Sequence, residues 1–134
     1  MILVDTNIIM YAAGAPHPNK ATSVALLEKV ATGAVEATID AEVLQEILHR
    51  FRAIDRWAEG KQVYDLTRQL FPVVLPVTAE VLDRARRLLD TDPGIMARDA
   101  LHAAVVMQEH LEGICSYDRD FDRIPGLVRT EPRA

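Results

Sequence analysis

One cysteine in 134 residues excludes an internal disulfide and a thiolate metal site. That cysteine, Cys115, lies between Ile114 and Ser116 in an apolar stretch, and a reducing cytoplasm suits such a chain. Long hydrophobic runs are also missing. Asp, Glu, Lys or Arg interrupts every apolar stretch before it reaches the roughly 20 residues that span a bilayer. The N-terminus passes through only Ile2-Leu3-Val4 before Asp5, without the basic region and extended apolar core of an export signal. Membrane insertion and export are not expected. Basic charge is not in excess: 20 acidic against 15 basic residues leave a net charge of −5, which argues against holding nucleic acid by bulk electrostatics. Aromatics, at 5% of the chain, are too sparse to interleave with the arginine clusters as a stacking platform for single strands.

What is present suits one globular domain over residues 1–134, with a short tail from about residue 130, since 49% of the residues are hydrophobic. Ile2 to Val4 read as a buried strand ending at Asp5, where open parallel sheets place ligands. Val24, Leu27 and Ala31 follow helical spacing towards a stop at Gly33. Ala37 to Ile39 form a second strand. Asp40 then caps a helix whose Val43, Leu44, Ile47, Leu48 and Phe51 make one apolar stripe. A helix over about Trp57 to Leu70 is weakened by Gly60. Val73 to Leu75 form a third strand, and Thr78 caps a helix with Val81, Leu82, Ala85, Leu88 and Leu89 facing inward. A last helix, about Met96 to Leu111, is apolar nearly all round and leads through Gly113 into the strand Ile114 to Tyr117. Strands alternating with helices imply α/β architecture with a parallel sheet covered on both faces.

Four short segments set a carboxylate beside apolar residues: Val4-Asp5-Thr6-Asn7, Leu44-Gln45-Glu46-Ile47, Arg98-Asp99-Ala100-Leu101 and Ser116-Tyr117-Asp118. Gathered by the fold, these acids make a hard, oxygen-rich pocket whose repulsion a divalent cation such as Mg2+ or Mn2+ relieves. Such a pocket points to metal-assisted phosphodiester chemistry. Four acids set aside for a metal leave 16 against 15 basic residues, so the acidic balance does not exclude an RNA substrate. Each acid also has an ordinary explanation. Asp5 can cap a following helix, Glu46 can pair with Arg50 one turn on, Asp99 can sit in a first helical turn, and Asp118, Asp120 and Asp122 can stabilise a loop. Glu42, the rival to Glu46, falls almost opposite the apolar stripe, whereas Glu46 flanks its edge near Val43. His102, three residues after Asp99, has the spacing to touch substrate or metal, but alone beside Leu and Ala it reads as an ordinary packed or solvent-edge residue and is left out of the site. Arg50, Arg52 and Arg56 are candidates for phosphate contact, and Arg84, Arg86 and Arg87 read as a solvated helix face.

In order and spacing, Val-Asp-Thr-Asn after the first strand, Glu46 in an amphipathic helix, Arg-Asp-Ala-Leu-His-Ala-Ala opening a late helix and Ser-Tyr-Asp-Arg-Asp-Phe after a late strand resemble the PIN-domain family. The resemblance extends over about Ile2 to Ile124, and is closest to the VapC-type toxins of bacterial toxin–antitoxin pairs. It implies a three-layer α/β/α sandwich with a central parallel sheet. It also implies a Mg2+- or Mn2+-dependent ribonuclease that is inhibited by an antitoxin and forms a homodimer. Carried over by motif, the metal ligands are Asp5, Glu46, Asp99 and Asp118, with Asp120 as an additional or alternative acid and Thr6 and Ser116 as supporting hydroxyls. Ser116 departs from the threonine frequent in the family, and Asp118, Asp120 and Asp122 leave the last ligand open. Trp57 and Tyr64 are candidate partner contacts as well as candidate core.

The resemblance implies water as the nucleophile and a 3′-hydroxyl and a 5′-phosphate as products, whereas attack by the ribose 2′-OH needs positioned acid–base groups, and no convincing histidine pair is present. A phosphatase that forms a phosphoaspartate after its first strand needs a second Asp two positions on. Asn7 stands there instead. The non-enzyme alternative is a PIN-like scaffold that binds RNA or protein without cutting.

Overall fold

Short aliphatic runs closed by an acid or opened by glycine become the strands, and the amphipathic stretches between them become helices. The computed structural model describes residues 1–133. Its order is β1 (Ile2–Val4), α1 (Thr6–Ala13), α2 (Lys20–Ala31), β2 (Ala37–Asp40), α3 (Ala41–Ala53), α4 (Trp57–Leu70), β3 (Val74–Leu75) and α5 (Ala79–Leu89). There follow α6 (Ala97–Gln108), β4 (Gly113–Cys115), a 3-10 turn (Arg119–Arg123) and β5 (Arg129–Thr130). Every strand pair is parallel, in the order β3-β2-β1-β4-β5. β1 is central, with Ile2 opposite both Ala37 of β2 and Gly113 of β4.

Alternation along the strands divides the core in two. Leu3 and Ile114 point to one face, where α5, α6 and the 3-10 turn contribute Val81, Ala85, Ala104 and Phe121. Val4 and Cys115 point to the other, where they meet Ile8, Leu26, Val43, Ile47 and Val63 from α1 to α4. Burying each large aliphatic side chain contributes about 1.5–3 kcal/mol, more than the ~1 kcal/mol of a helix cap. The two apolar layers therefore hold the sandwich, and the caps decide where its helices begin. Burial also pushes the Cys115 thiol up to about 11, which leaves it an inert core residue. No helix among the described residues is long and apolar enough to cross a membrane.

Several local expectations change. A helix starts directly after Asp5. The tail expected from about residue 130 begins later, because Thr130 lies in β5 and pairs with Cys115. β4 ends at Cys115 rather than Tyr117. Leu82 is 48% exposed, and Arg84 of the supposedly solvated face is half-buried, whereas Arg86 is exposed and paired with Asp90. Tyr64 packs at the edge of the core, and Trp57 lies under the Arg52 guanidinium, 4.6 Å from the ring centroid.

Gly60, which weakens α4 by propensity, has a packing reason to be there. A Cβ at this position would stand 2.4 Å from Phe51 Cβ on α3. Gly60→Ala gains ~1 kcal/mol of helix preference but overpacks this contact, at a typical cost of about 1–3 kcal/mol. The variant is expected to lower the midpoint of urea unfolding with an unchanged slope; an equal or higher midpoint would show that α3 and α4 separate without cost.

Candidate active site at the sheet switch point

The strand order reverses between β1 and β4, which opens a crevice beyond the carboxyl ends of the strands. Asp5 follows β1, Asp40 ends β2 and Ser116 follows β4, so all three arrive at this end. α3 brings Glu46 and the first turn of α6 brings Asp99. Asp5, Glu46, Asp99 and Asp118 line one cleft of about 750 Å3, together with Thr6, Asn7, Glu42 and His102. Arg50, Arg56 and Arg98 also line it. Arg52 does not; its guanidinium is stacked on Trp57.

Three acids that reach this end are also caps. Asp5 Oδ1 accepts from Thr6 N (2.8 Å), Asp40 Oδ1 from Val43 N (3.0 Å) and Asp118 Oδ1 from Asp120 N (2.9 Å). For Asp5 and Asp118 capping and a place at the cleft thus coincide, and the N-terminus of a helix favours such negative charge. Ser116 Oγ donates to Asp5 Oδ2 at 2.6 Å and accepts from Asn7 Nδ2 and Asp118 N, each at 3.0 Å. Thr6 Oγ1 donates to Glu46 Oε2. Glu46 makes no ion pair with Arg50, so the ordinary explanation of its charge is not the one adopted. Glu42, expected to point away, is half-buried at the mouth of the cleft one turn before Glu46, and burial followed by the Glu46 charge raises its carboxyl.

His102 is the residue that reasoning from sequence passed over. It is 1% exposed, with Nδ1 2.7 Å from Asp40 Oδ2 and Nε2 3.0 Å from Glu46 Oε1. Burial alone would lower its pKa, but hydrogen bonds to Asp40 and Glu46 raise it well above 6.5. Burial raises Glu46, yet the hydrogen bond and charge of His102 outweigh it and leave this carboxyl below its ordinary value. The sequence signal for His102 is its spacing, three residues after Asp99 on the same helical face, which the apolar Leu and Ala beside it outweigh.

The acids on the other side lack such a partner. Asp99 makes no hydrogen bond through its carboxylate among the described residues, and burial, then Asp118 and Asp5, push it up to about 6. Asp5 is raised as well, chiefly by burial. Oxygens of Asp99, Asp118 and Asp120 lie within 4.8 Å of one another, as do ligand atoms of Asp5, Glu46 and His102. Asp122 turns away into an ion pair with Arg129 (3.0 Å). Asn7 Oδ1 is buried in the same cleft without a partner. Uncompensated carboxylates, all hard oxygen donors, beside an orphaned amide oxygen are the chemistry a divalent cation fits.

Asp99 has a folded-state pKa above its ordinary 3.8. The native state therefore holds the proton more tightly, and its contribution to stability is lost as pH rises from about 4 to 6. Asp99→Asn is expected to stabilise the protein against urea in chelator by about 1 kcal/mol at pH 7.5. The gain should vanish near pH 4. A destabilised variant at pH 7.5 would show that the carboxylate is compensated within the protein.

The PIN domain family model matches residues 2–127. The chain is 42% identical over 129 residues to ribonuclease VapC13 of Mycobacterium tuberculosis and to VapC ribonuclease Mb1869c of Mycobacterium bovis, covering 96% of this chain and 98% of each relative. Among solved structures, Mycobacterium tuberculosis VapC20, described as a Sarcin-Ricin loop cleaving toxin, superposes with a TM-score of 0.77 at 20% identity, covering 98% of this chain and 100% of the other. VapBC2 from Rickettsia felis, bound to a DNA fragment from its promoter, gives a TM-score of 0.75 at 20% identity, covering 99% and 100%. The three-layer sandwich read from the sequence is the fold these structures share. With a family match over nearly its whole length and close relatives aligned end to end, the chain belongs to the PIN domain family.

Proposed function

We propose that this protein is a metal-dependent endoribonuclease acting in the cytoplasm as the toxin of a toxin–antitoxin pair. The observation that carries the reading is the convergence of Asp5, Glu46, Asp99 and Asp118 on one cleft. Kinship with VapC ribonucleases at 42% identity supports it. Asp5, Glu46, Asp99 and Asp118 would hold Mg2+ or Mn2+, with Asp120 near enough to assist, and the ion would supply Lewis-acid polarisation of a phosphoryl oxygen and a lowered pKa for bound water.

The chain's own groups orient and select. Ser116 fixes the Asp5 carboxylate and Thr6 fixes that of Glu46. Arg50, Arg56 and Arg98 set positive charge along the acidic cleft, where the phosphates flanking the scissile bond would lie. His102 is enclosed, with both ring nitrogens engaged, so it does not reach a ribose 2′-OH as a general base. The acid-rich site supports attack by activated water instead, and kinship with the PIN domain family supports a 3′-hydroxyl and a 5′-phosphate as the products. An antitoxin would silence the site by covering the cleft or by placing a cation among the acids. The half-buried Trp57 with its stacked Arg52 offers a contact for such a partner or for a second copy of the chain.

Labelled single-stranded and structured RNAs, incubated with purified protein in Mg2+, Mn2+ or EDTA, test the proposal. Cleavage should need the metal and fall at least ~100-fold in Asp5→Asn, as expected where a group stabilising the transition state is lost. Metal-bound protein that binds RNA but never cuts it would favour a scaffold, and equal cutting by Asp5→Asn would place the chemistry elsewhere. Arg50→Ala with Arg56→Ala should raise KM about tenfold and flatten its salt dependence while sparing kcat. An unchanged KM would exclude these arginines from the RNA path.

A further inference from the structure

Glu46 hangs from a helix by three rotatable bonds, and fixing such a side chain costs up to about 2 kcal/mol of rotamer entropy. Here both of its oxygens are gripped: Thr6 Oγ1 holds Oε2, and His102 Nε2 holds Oε1 at 3.0 Å. A grip is only as firm as what holds it. The His102 ring is 1% exposed, tilted against Phe121 with centroids 6.4 Å apart, and tied through Nδ1 to Asp40 Oδ2 at 2.7 Å. Asp40 is 0% exposed, and its other oxygen caps α3, the helix that carries Glu46. The contacts close a loop from the start of α3 through α6 and back to α3 two turns later.

We infer that His102 is a positioning residue, anchored by Asp40, that holds the Glu46 carboxylate in its cation-binding orientation and thereby sets the metal affinity of the cleft. The inference rests on the metal-dependent reading above. The competing role is that of a direct ligand, since His102 Nε2 lies close to oxygens of Asp5 and Glu46. A coordinating nitrogen needs a free lone pair, whereas each ring nitrogen here already faces a carboxylate oxygen, Nδ1 that of Asp40 at 2.7 Å and Nε2 that of Glu46 at 3.0 Å, and an Nε2 that donates to Glu46 has no lone pair to offer a cation. Histidines that brace a liganding carboxylate or imidazole from outside typically govern metal affinity by 10–100-fold.

Two substitutions separate the roles. His102→Gln keeps an amide donor near the Nε2 position, within reach of Glu46, whereas His102→Asn keeps one only near Nδ1, facing Asp40. Mn2+ titration by calorimetry of the full chain, with urea unfolding in EDTA to confirm folding, is expected to show binding weakened ~10–100-fold in His102→Asn and within about threefold of wild type in His102→Gln. RNA cleavage by His102→Asn should recover as Mn2+ is raised, with KM for RNA unchanged. Equal weakening in both variants would point to a requirement for the imidazole itself and overturn the positioning role, as would unchanged binding in a folded His102→Asn. If His102→Asn does not fold, His102→Gln is compared with His102→Met, which is of similar length but has no donor: weaker Mn2+ binding in His102→Met than in His102→Gln sustains the inference, and equal binding in the two refutes it. Wild-type protein that binds no Mn2+ would defeat the metal reading itself, whereas binding abolished by Asp5→Asn and untouched by His102→Asn would defeat only this one.

Discussion

Everything around the cleft answers to one constraint, the repulsion among carboxylates drawn together at the carboxyl end of a buried sheet. Water would screen these charges, but the crevice between β1 and β4 is walled by apolar layers on both sides. The protein compensates unevenly. Around Asp5 and Glu46 it supplies Ser116, Thr6 and His102 as donors; around Asp99 and Asp118 it supplies almost none. The uncompensated side is where an added cation would gain most, and the imbalance lowers the stability of the protein by itself.

Helix termini do much of the holding. Asp5, Asp40 and Asp118 each cap the element that follows them, so the same backbone amides that fix a helix start also fix a carboxylate at the cleft. Parallel βα units make this economy available, since every strand delivers its last residue to the end where the next helix begins. For Asp5 the capping explanation offered by the sequence is observed, and the capping oxygen belongs to a carboxylate that also lines the cleft.

The alternation of strand and helix, the two-faced core and the convergence of the four acids were legible because they depend on periodicity and on where strands end. What escaped depended on tertiary neighbours. β5 is two residues long and has no pattern of its own; it exists because the edge of β4 is there to pair with. Glu42 was misplaced because projection on a helical wheel shows where the core lies and not where a cleft cuts into it. His102 was passed over because its partners stand 62 and 56 residues away, and nothing in a run of Leu and Ala reveals a carboxylate waiting on another helix. Gly60 read as a weakness of α4, although Phe51 gives it a steric reason that only the packed pair displays.

The hydrogen bond from Ser116 to Asp5 joins residues 111 positions apart, and β4 must insert beside β1 before it can form. Chains emerge from the ribosome N-terminus first, at about 5–20 residues per second. Asp5, Glu46 and Asp99 therefore leave the tunnel well ahead of the strand and turn that bring Ser116 and Asp118. A nascent chain carries most of the acids but not the cleft, because the pairing of β4 with β1 is a non-local contact that waits for the later segment. That order leaves the cleft incomplete until β4 has inserted beside β1.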